Sequence, residues 1–380
     1  MGEYQAPLDG SLPSLPTSRA GSGPGPGATR NSVLRAEGLC RSYHHERGSL
    51  LARVRGAPDP RARVRPALWD VSFALGRGEV LGIVGESGSG KSTLARCVTL
   101  LERPDAGRVL FDGHDLTAMR SSELRRHRRR IQVVFQDPYS SLNPRYTVQS
   151  QLAEVLTVHR LVPAGAVETR IGELLDQVGL PGSARHRYPA DFSGGQRQRI
   201  CIARALAAEP AVLIADEAVS ALDVSIQAQI LNLLLDLQER LSLAMIFISH
   251  NLHVVRHVAP RVAVMFGGRI VETIPAGVDL EDARHPYTRA LIAAVPKLET
   301  RGFEALVGPP AELAGALPTV GCPFRERCPL RYEPCDTIDP ALASAAGDHL
   351  VACHAALVAA GRPDAAQSWE GAIVAGEAQA

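Results

Sequence analysis

Lysine is almost missing from this chain. Of 41 basic residues only Lys91 and Lys297 are lysines, so arginine holds every other basic position. A compact ammonium kept at position 91 points to a place where a forked guanidinium would not fit. No stretch reaches the roughly 18 uninterrupted apolar residues that a bilayer-crossing helix needs, so no membrane span is expected. The first residues lack a basic-then-apolar leader pattern, so no secretion signal is expected either. Net charge is nearly absent at a formal +1, which argues against nucleic acid or a strongly acidic protein as partner. The seven cysteines include no C-x2-C pair, the short spacing of many zinc sites. Cys40, Cys97 and Cys201 are scattered among apolar neighbours and read as core thiols. Cys322, Cys328, Cys335 and Cys353 fall close together, and without a secretion signal such a group suggests a metal site rather than a disulfide framework.

With 380 residues there is room for about two or three domains. Residues 1–30, rich in Gly, Pro and Ser, cannot bury enough apolar surface to order and are expected to be a disordered tail. Ser32 to Tyr43 and Ala67 to Leu75 have strand character, and the Arg/Pro/Gly-rich stretch from His44 to Pro66 between them reads as a surface loop. Apolar runs at Val80–Val84, Ile131–Phe135, Ala211–Ala215 and Ala244–Ile248 have the length and branching of buried parallel strands. Helical patterns separate them at Leu94–Leu101, Val148–Val178, Gly195–Ala208 and Val224–Leu241. Alternation of this kind predicts an α/β domain with a parallel sheet. Asp137 to Glu209 contains no comparable strand and reads as a helical insertion. The basic run Arg125–Arg130 is assigned to a solvated helix end.

Gly85-Glu86-Ser87-Gly88-Ser89-Gly90-Lys91-Ser92 joins the first apolar run to a helical segment and fits the G-x-x-x-x-G-K-[ST] pattern. Glycines let successive backbone N–H groups turn into one concavity, and the helix N-terminus adds partial positive charge, so the stretch reads as a phosphate-binding loop. Lys91 is expected to reach the β- and γ-phosphates and Ser92 to place its hydroxyl on Mg²⁺. Gly85, Ser87, Gly88, Gly90 and Thr93 complete the candidate nucleotide-binding set. A phosphate loop needs an acidic partner for the metal, and the run Val212–Ala215 ends in Asp216-Glu217. Asp216 is the candidate metal carboxylate and Glu217 the candidate general base for an attacking water.

Asp191-Phe192-Ser193-Gly194-Gly195-Gln196-Arg197-Gln198-Arg199 resembles the signature motif of ABC-type ATPases. Gln136 in Val134-Phe135-Gln136-Asp137 resembles that family's Q-loop, Ser220-Ala221-Leu222-Asp223 its D-loop and Ile248-Ser249-His250 its switch histidine. Tyr43 stands where the family places an aromatic under adenine. The resemblance covers about residues 34 to 275. It implies a P-loop nucleotide-binding domain with a RecA-like core, an antiparallel β edge and a helical subdomain at 137–209. It also implies a head-to-tail pair in which Ser193, Gly194 and Gly195 close on ATP held by the partner's phosphate loop, with Gln136 on the metal and His250 at the γ-phosphate. Phe192, Asp191 and Asn251 replace the family's usual Leu, Glu and Asp, which are departures expected to be tolerated.

His285-Pro286-Tyr287-Thr288-Arg289-Ala290-Leu291, followed by Ala294-Val295-Pro296, resembles the C-terminal extension of ATPases that power dipeptide and oligopeptide importers. Asp137-Pro138-Tyr139-Ser140-Ser141-Leu142-Asn143-Pro144 is similar to the same branch. The implied organisation is an ATPase domain at 31–275 and an extension at 276–380. The implied partners are a homologous ATPase subunit forming a heterodimer, two transmembrane permease subunits and an extracytoplasmic substrate-binding protein, with the chain peripheral on the cytoplasmic membrane face. Some members of this branch carry a [4Fe-4S] cluster at such cysteines, so the resemblance makes Cys322, Cys328, Cys335 and Cys353 candidate cluster ligands, with Zn²⁺ or reduced thiols as alternatives. The competing expectation is a non-transport ABC ATPase of DNA repair or translation. It fits less well because only one ATPase unit is present.

Overall fold

A computed structural model describes residues 32–45, 63–220, 222–294 and 320–361, which form two sheets with helices packed on and beside them. The tail at 1–30, most of the Arg/Pro excursion (46–62), Ala221, and Val295, Pro296 and Lys297 lie outside the described residues. β1 (Ser32–His45) and β2 (Arg63–Gly76) pair antiparallel, with β4 (Ala106–Phe111) and the short β5 (His114–Asp115) beside β1. The pairing runs on to His45↔Arg63, so the predicted loop from His44 to Pro66 is shorter than expected, its ends drawn into the ladder.

The second sheet has the order β11-β12-β10-β9-β3-β8-β7-β6. Its parallel centre is β3 (Val80–Val84), β6 (Ile131–Val134), β7 (Val212–Asp216), β8 (Ala244–Ser249) and β9 (Arg261–Phe266). Four of these are the strands read from apolar runs. β9 is not among those runs, although five of its six positions are buried. Side chains of β3 alternate between two cores: Val80 and Val84 face one, Leu81 and Ile83 the other. β7 and β8 divide in the same way, which is what a sheet covered on both faces requires. The second core is closed by the antiparallel sheet and by α1 (Lys91–Val98).

The basic run lies at the end of α2 (Ser121–Arg129), but it is less solvated than expected. Arg128 donates to the carbonyls of Thr99 and Leu100, and Arg130 pairs with Asp112 at 2.7 Å. Between β6 and β7 there are only helices: α3 (Pro138–Ser141), α4 (Val148–Val158), α5 (Val167–Gln177), α6 (Gly194–Ala207) and short 3-10 turns. The single helical stretch expected over 148–178 is two helices, because Arg160, at φ +51, closes the first in a left-handed turn with its N–H on Thr157 O and that of Leu161 on Leu156 O. α7 (Val224–Leu241) follows β7 and buries Ile230, Leu231, Leu234 and Leu237. α8 (Leu252–Val258) is capped by Asn251, whose side chain accepts from His253 and Val254 N–H, so that departure serves as a helix start.

The C-terminal region grows directly on this sheet. β10 (Arg269–Ile274) pairs with β12 (His349–Val351), which pairs with β11 (Ala343–Ala346). Tyr287, on α9 (Pro286–Ala293), and Phe324 belong to the main core beside Phe266. The short α10 (Pro334–Thr337) and α11 (His354–Gly361) complete the described residues. Cys40, Cys97 and Cys201 are buried, as their apolar neighbours foretold, and burial raises their thiol pKa values, that of Cys97 to about 12.

Candidate nucleotide site

Parallel register brings the site residues to one rim. Val84 at the end of β3 pairs with Ser249 of β8, Asp216 of β7 with Ile248, and Val134 of β6 with Ala215. The phosphate loop, Asp216-Glu217, Gln136 and His250 therefore leave neighbouring strands on the same, carboxyl side, the usual ligand side of a parallel sheet. The loop is tightly seated: a Cβ on Gly90, whose φ is +104, would sit 2.4 Å from the Ala67 carbonyl. Ser89, not among the candidates, is fully buried there with no hydrogen-bond partner for its hydroxyl.

Lys91 is 4% exposed and curls back over the loop, donating to the carbonyls of Gly85 at 2.8 Å and Glu86 at 2.9 Å. The Glu217 carboxylate stands 3.8 Å away. Burial pulls the ammonium pKa down, against the opposing pull of Glu217, Asp216 and Glu86. Ser92 Oγ donates to Asp216 Oδ1 at 3.3 Å, and burial raises the Asp216 pKa while this bond lowers it. Hydroxyl and carboxylate side by side are the hard oxygen donors that Mg²⁺ takes, and a buried ammonium held only by carbonyls and acids fits a phosphate. Glu217 has φ +48, an unfavourable left-handed backbone for a non-glycine, and its N–H donates to Ile248 O at 3.0 Å. Strain of this kind, held in place by the neighbouring strand, is typical of residues whose side chain must be aimed.

Gln136 and His250 are exposed at the rim, and Gln136 follows Phe135, whose carbonyl accepts from Gln198 of α6. Tyr43 lies against the first turn of α1, its hydroxyl bonded to Glu102 and 3.4 Å from Thr93 Oγ1, with Arg41 over its ring at 5.3 Å. Ser193 caps α6 in a box with Gln196. Ser193 is exposed, whereas Gly195 is buried against α7, where a Cβ would meet Ile226 Cγ2 at 2.5 Å. Among the described residues no hydrogen bond or ion pair links 191–199 to the phosphate loop of the same chain. Phe192 is buried under the Arg187 guanidinium, so the larger ring in place of leucine is packed.

Residues 68–220 match the family described as ABC transporter, and residues 271–335 match the oligopeptide/dipeptide transporter C-terminal region. The chain is 46% identical over 325 residues to a probable peptide ABC transporter ATP-binding protein of Sinorhizobium fredii, covering 85% of this chain and 90% of the relative. It is 45% identical to the di/tripeptide transport ATP-binding protein DppF of Pseudomonas aeruginosa, covering 85% and 97%. It is 47% identical to the oligopeptide transport ATP-binding protein AppF of Bacillus subtilis, covering 76% and 89%. The chain belongs to the peptide ABC transporter ATP-binding proteins. Among solved structures, a dimeric ATP-binding cassette in a post-hydrolysis state with ADP and phosphate is 25% identical with a TM-score of 0.54, covering 64% of this chain and 98% of that one. As a member of this family the chain is an ATPase that uses ATP with Mg²⁺.

The C-terminal region of this transporter ATPase contributes to the site in a way the sequence did not reveal. His285 caps α9 by accepting the Tyr287 N–H at 3.0 Å, Pro286 occupies the first helical turn, and the Tyr287 hydroxyl accepts the Glu86 N–H at 2.8 Å. Arg327 pairs with the Glu86 carboxylate through two 3.0 Å hydrogen bonds. Of the four cysteines, Cys322 N donates to Cys335 O at 2.8 Å, and Cys322, Cys335 and Cys353 all influence the Cys328 thiol electrostatically. Burial raises Cys328 to about 12 and Cys353 to about 11, each pushed further by the other thiols. All four are free, and among the described residues no group of three or more ligating side chains is arranged to hold a metal ion. The donor chemistry suits a cluster, but the geometry described does not form its coordination sphere. No helix among the described residues is long and apolar enough to cross a membrane.

Proposed function

We propose that this chain powers solute import by hydrolysing ATP at a site made of Lys91, Ser92, Asp216 and Glu217, and that the cargo is a peptide. The observation that carries this reading is the buried contact of Lys91 with Glu217, 3.8 Å apart, beside the Ser92–Asp216 pair at the strand rim. Bound ATP supplies the γ-phosphoryl group and Mg²⁺ the neutralising charge. Lys91 exchanges its two carbonyl partners for phosphate oxygens, with the N–H groups of Gly85, Ser87, Gly88, Gly90 and Thr93 lining the loop. Ser92, Asp216 and Gln136 hold the metal side. Glu217 takes a proton from water, and His250 steadies the γ-phosphate. Tyr43 offers its ring to adenine.

Ser193, Gly194 and Gly195 serve a second ATPase chain, a homologous rather than identical one. Two permease subunits and an extracytoplasmic binding protein complete the transporter, which sets this chain on the cytoplasmic membrane face. What supports the partner set is the naming of the relatives as peptide transport ATP-binding proteins. The decisive test is ATP turnover by the full chain co-expressed with its neighbouring permeases in vesicles. Stimulation by peptide-loaded binding protein is expected, and stimulation by DNA or ribosomes instead would reverse the reading.

The four cysteines are proposed to bind a [4Fe-4S] cluster. Their all-thiol donor set supports this. Because burial raises the Cys328 and Cys353 thiols and so keeps them protonated, loading must expel protons there and weakens as pH falls. Anaerobically purified chain without iron and without a visible charge-transfer band would discard the cluster.

A further inference from the structure

Glu86 is a carboxylate inside a loop that must receive a polyanion. Its carbonyl already holds Lys91, and its charge reaches that ammonium. An unpaired carboxylate here would repel incoming phosphates and compete with them for Lys91. Two residues from the far end of the chain meet it. Arg327 forks onto both carboxylate oxygens at 3.0 Å, with the two side chains 22% and 16% exposed, the geometry of a strong charge-assisted pair. Tyr287 accepts the Glu86 backbone N–H at 2.8 Å.

Both are held by rings rather than waving from the surface. The Arg327 guanidinium lies 5.4 Å from the Phe324 ring centre and 5.8 Å from that of Phe266. Tyr287 is fully buried, its ring 4.6 Å from Phe266 and 5.5 Å from Phe324. Phe266 ends β9, the strand paired with β3 from which the loop departs. The platform and the loop therefore share one sheet.

We propose that Arg327 and Tyr287 are positioning residues for ATP binding, which fix the start of the phosphate loop and neutralise Glu86 so that Lys91 is left to the phosphates. This rests on the reading of Lys91 as a nucleotide ligand. Arg327→Gln keeps the stem over the rings and removes the charge. In the full chain, calorimetric titration with MgATP should give a Kd roughly tenfold higher than wild type at low salt, with the gap narrowing as salt screens the repulsion. Adding Glu86→Gln to that variant should restore most of the affinity, and Tyr287→Phe should cost about threefold by orphaning one loop N–H.

Wild-type affinity in Arg327→Gln overturns the proposal, as does a loss that Glu86→Gln fails to repair, since packing alone would then explain it. If Arg327→Gln does not fold, Arg327→Lys decides. It keeps the charge without the fork and should stay within about threefold of wild type, whereas a tenfold loss refutes neutralisation. Lys91→Ala serves as the control: if it leaves MgATP affinity intact, the reading of the site itself fails, whatever Arg327 does.

Discussion

The phosphate loop and the signature segment are both polar turns that feed a helix, yet they use their polar groups in opposite ways. In the loop, Lys91, Ser92, Asp216 and Glu217 lean on one another and on loop carbonyls, partners that a phosphate and a cation can displace. In the signature, Ser193 and Gln196 satisfy each other and Arg197 reaches the carbonyls of Pro189 and Ala190, with only Arg197 Nη1 and Gln198 Oε1 left buried without a partner among the described residues. The first is built from contacts that a bound anion and cation can replace. The second is a capped helix start with an exposed serine that bonds to nothing in this chain's phosphate loop.

The sharpest way to break this contrast is to remove the base. Glu217→Gln should lower phosphate release by about two to four orders of magnitude while MgATP binding persists. Turnover within tenfold of wild type would mean that the strained backbone at Glu217 aims its side chain at something other than the attacking water. Next in size, Lys91→Ala should weaken MgATP binding to the isolated chain by roughly a hundredfold, the worth of a charge-assisted contact. Ser193→Ala should lower turnover of the assembled pair and cost helix α6 about 1 kcal/mol of capping, yet leave that isolated-chain binding in place. Equal damage to isolated-chain binding by both would show that loop and signature serve one nucleotide within a chain.

The smallest effect concerns what stands behind the loop. His285 is buried and its pKa is lowered from 6.5 to about 4, chiefly by burial, with Glu272 opposing. The unfolded chain takes up this proton below about pH 6.5, whereas the folded one resists until near 4, so stability falls as pH drops through that window, by a few kcal/mol at most. Hydrogen exchange should quicken at residues 85–92 before it does at 193–199. Simultaneous loss of protection would break the link between His285 and the loop.

Much of this was legible from local pattern. The apolar runs gave four parallel strands, and the motifs placed Lys91, Ser92, Asp216 and Glu217 at strand ends, because a loop between strand and helix can lie only on one rim. β9 was missed although Val262, Ala263, Val264 and Met265 form as apolar a run as the others. It follows α8, which at seven residues is too short to show a helical period, and it leads straight into β10, so no pattern set it off. Arg327 and Tyr287 could not have been found from spacing. Each is separated from Glu86 by more than two hundred positions, 241 and 201, and nothing local marks either as facing a phosphate loop.

Glu272 is wholly buried in β10, and its carboxylate accepts from the N–H groups of Arg284 and His285 and bonds His349 of β12 at 2.8 Å. Among the described residues, every hydrogen-bond partner of that carboxylate comes from the C-terminal region, beyond the ATPase motifs. A chain cut before Arg284 would lose these partners of the carboxylate and leave the outer edge of β10 open, so the C-terminal region completes the sheet it grows on.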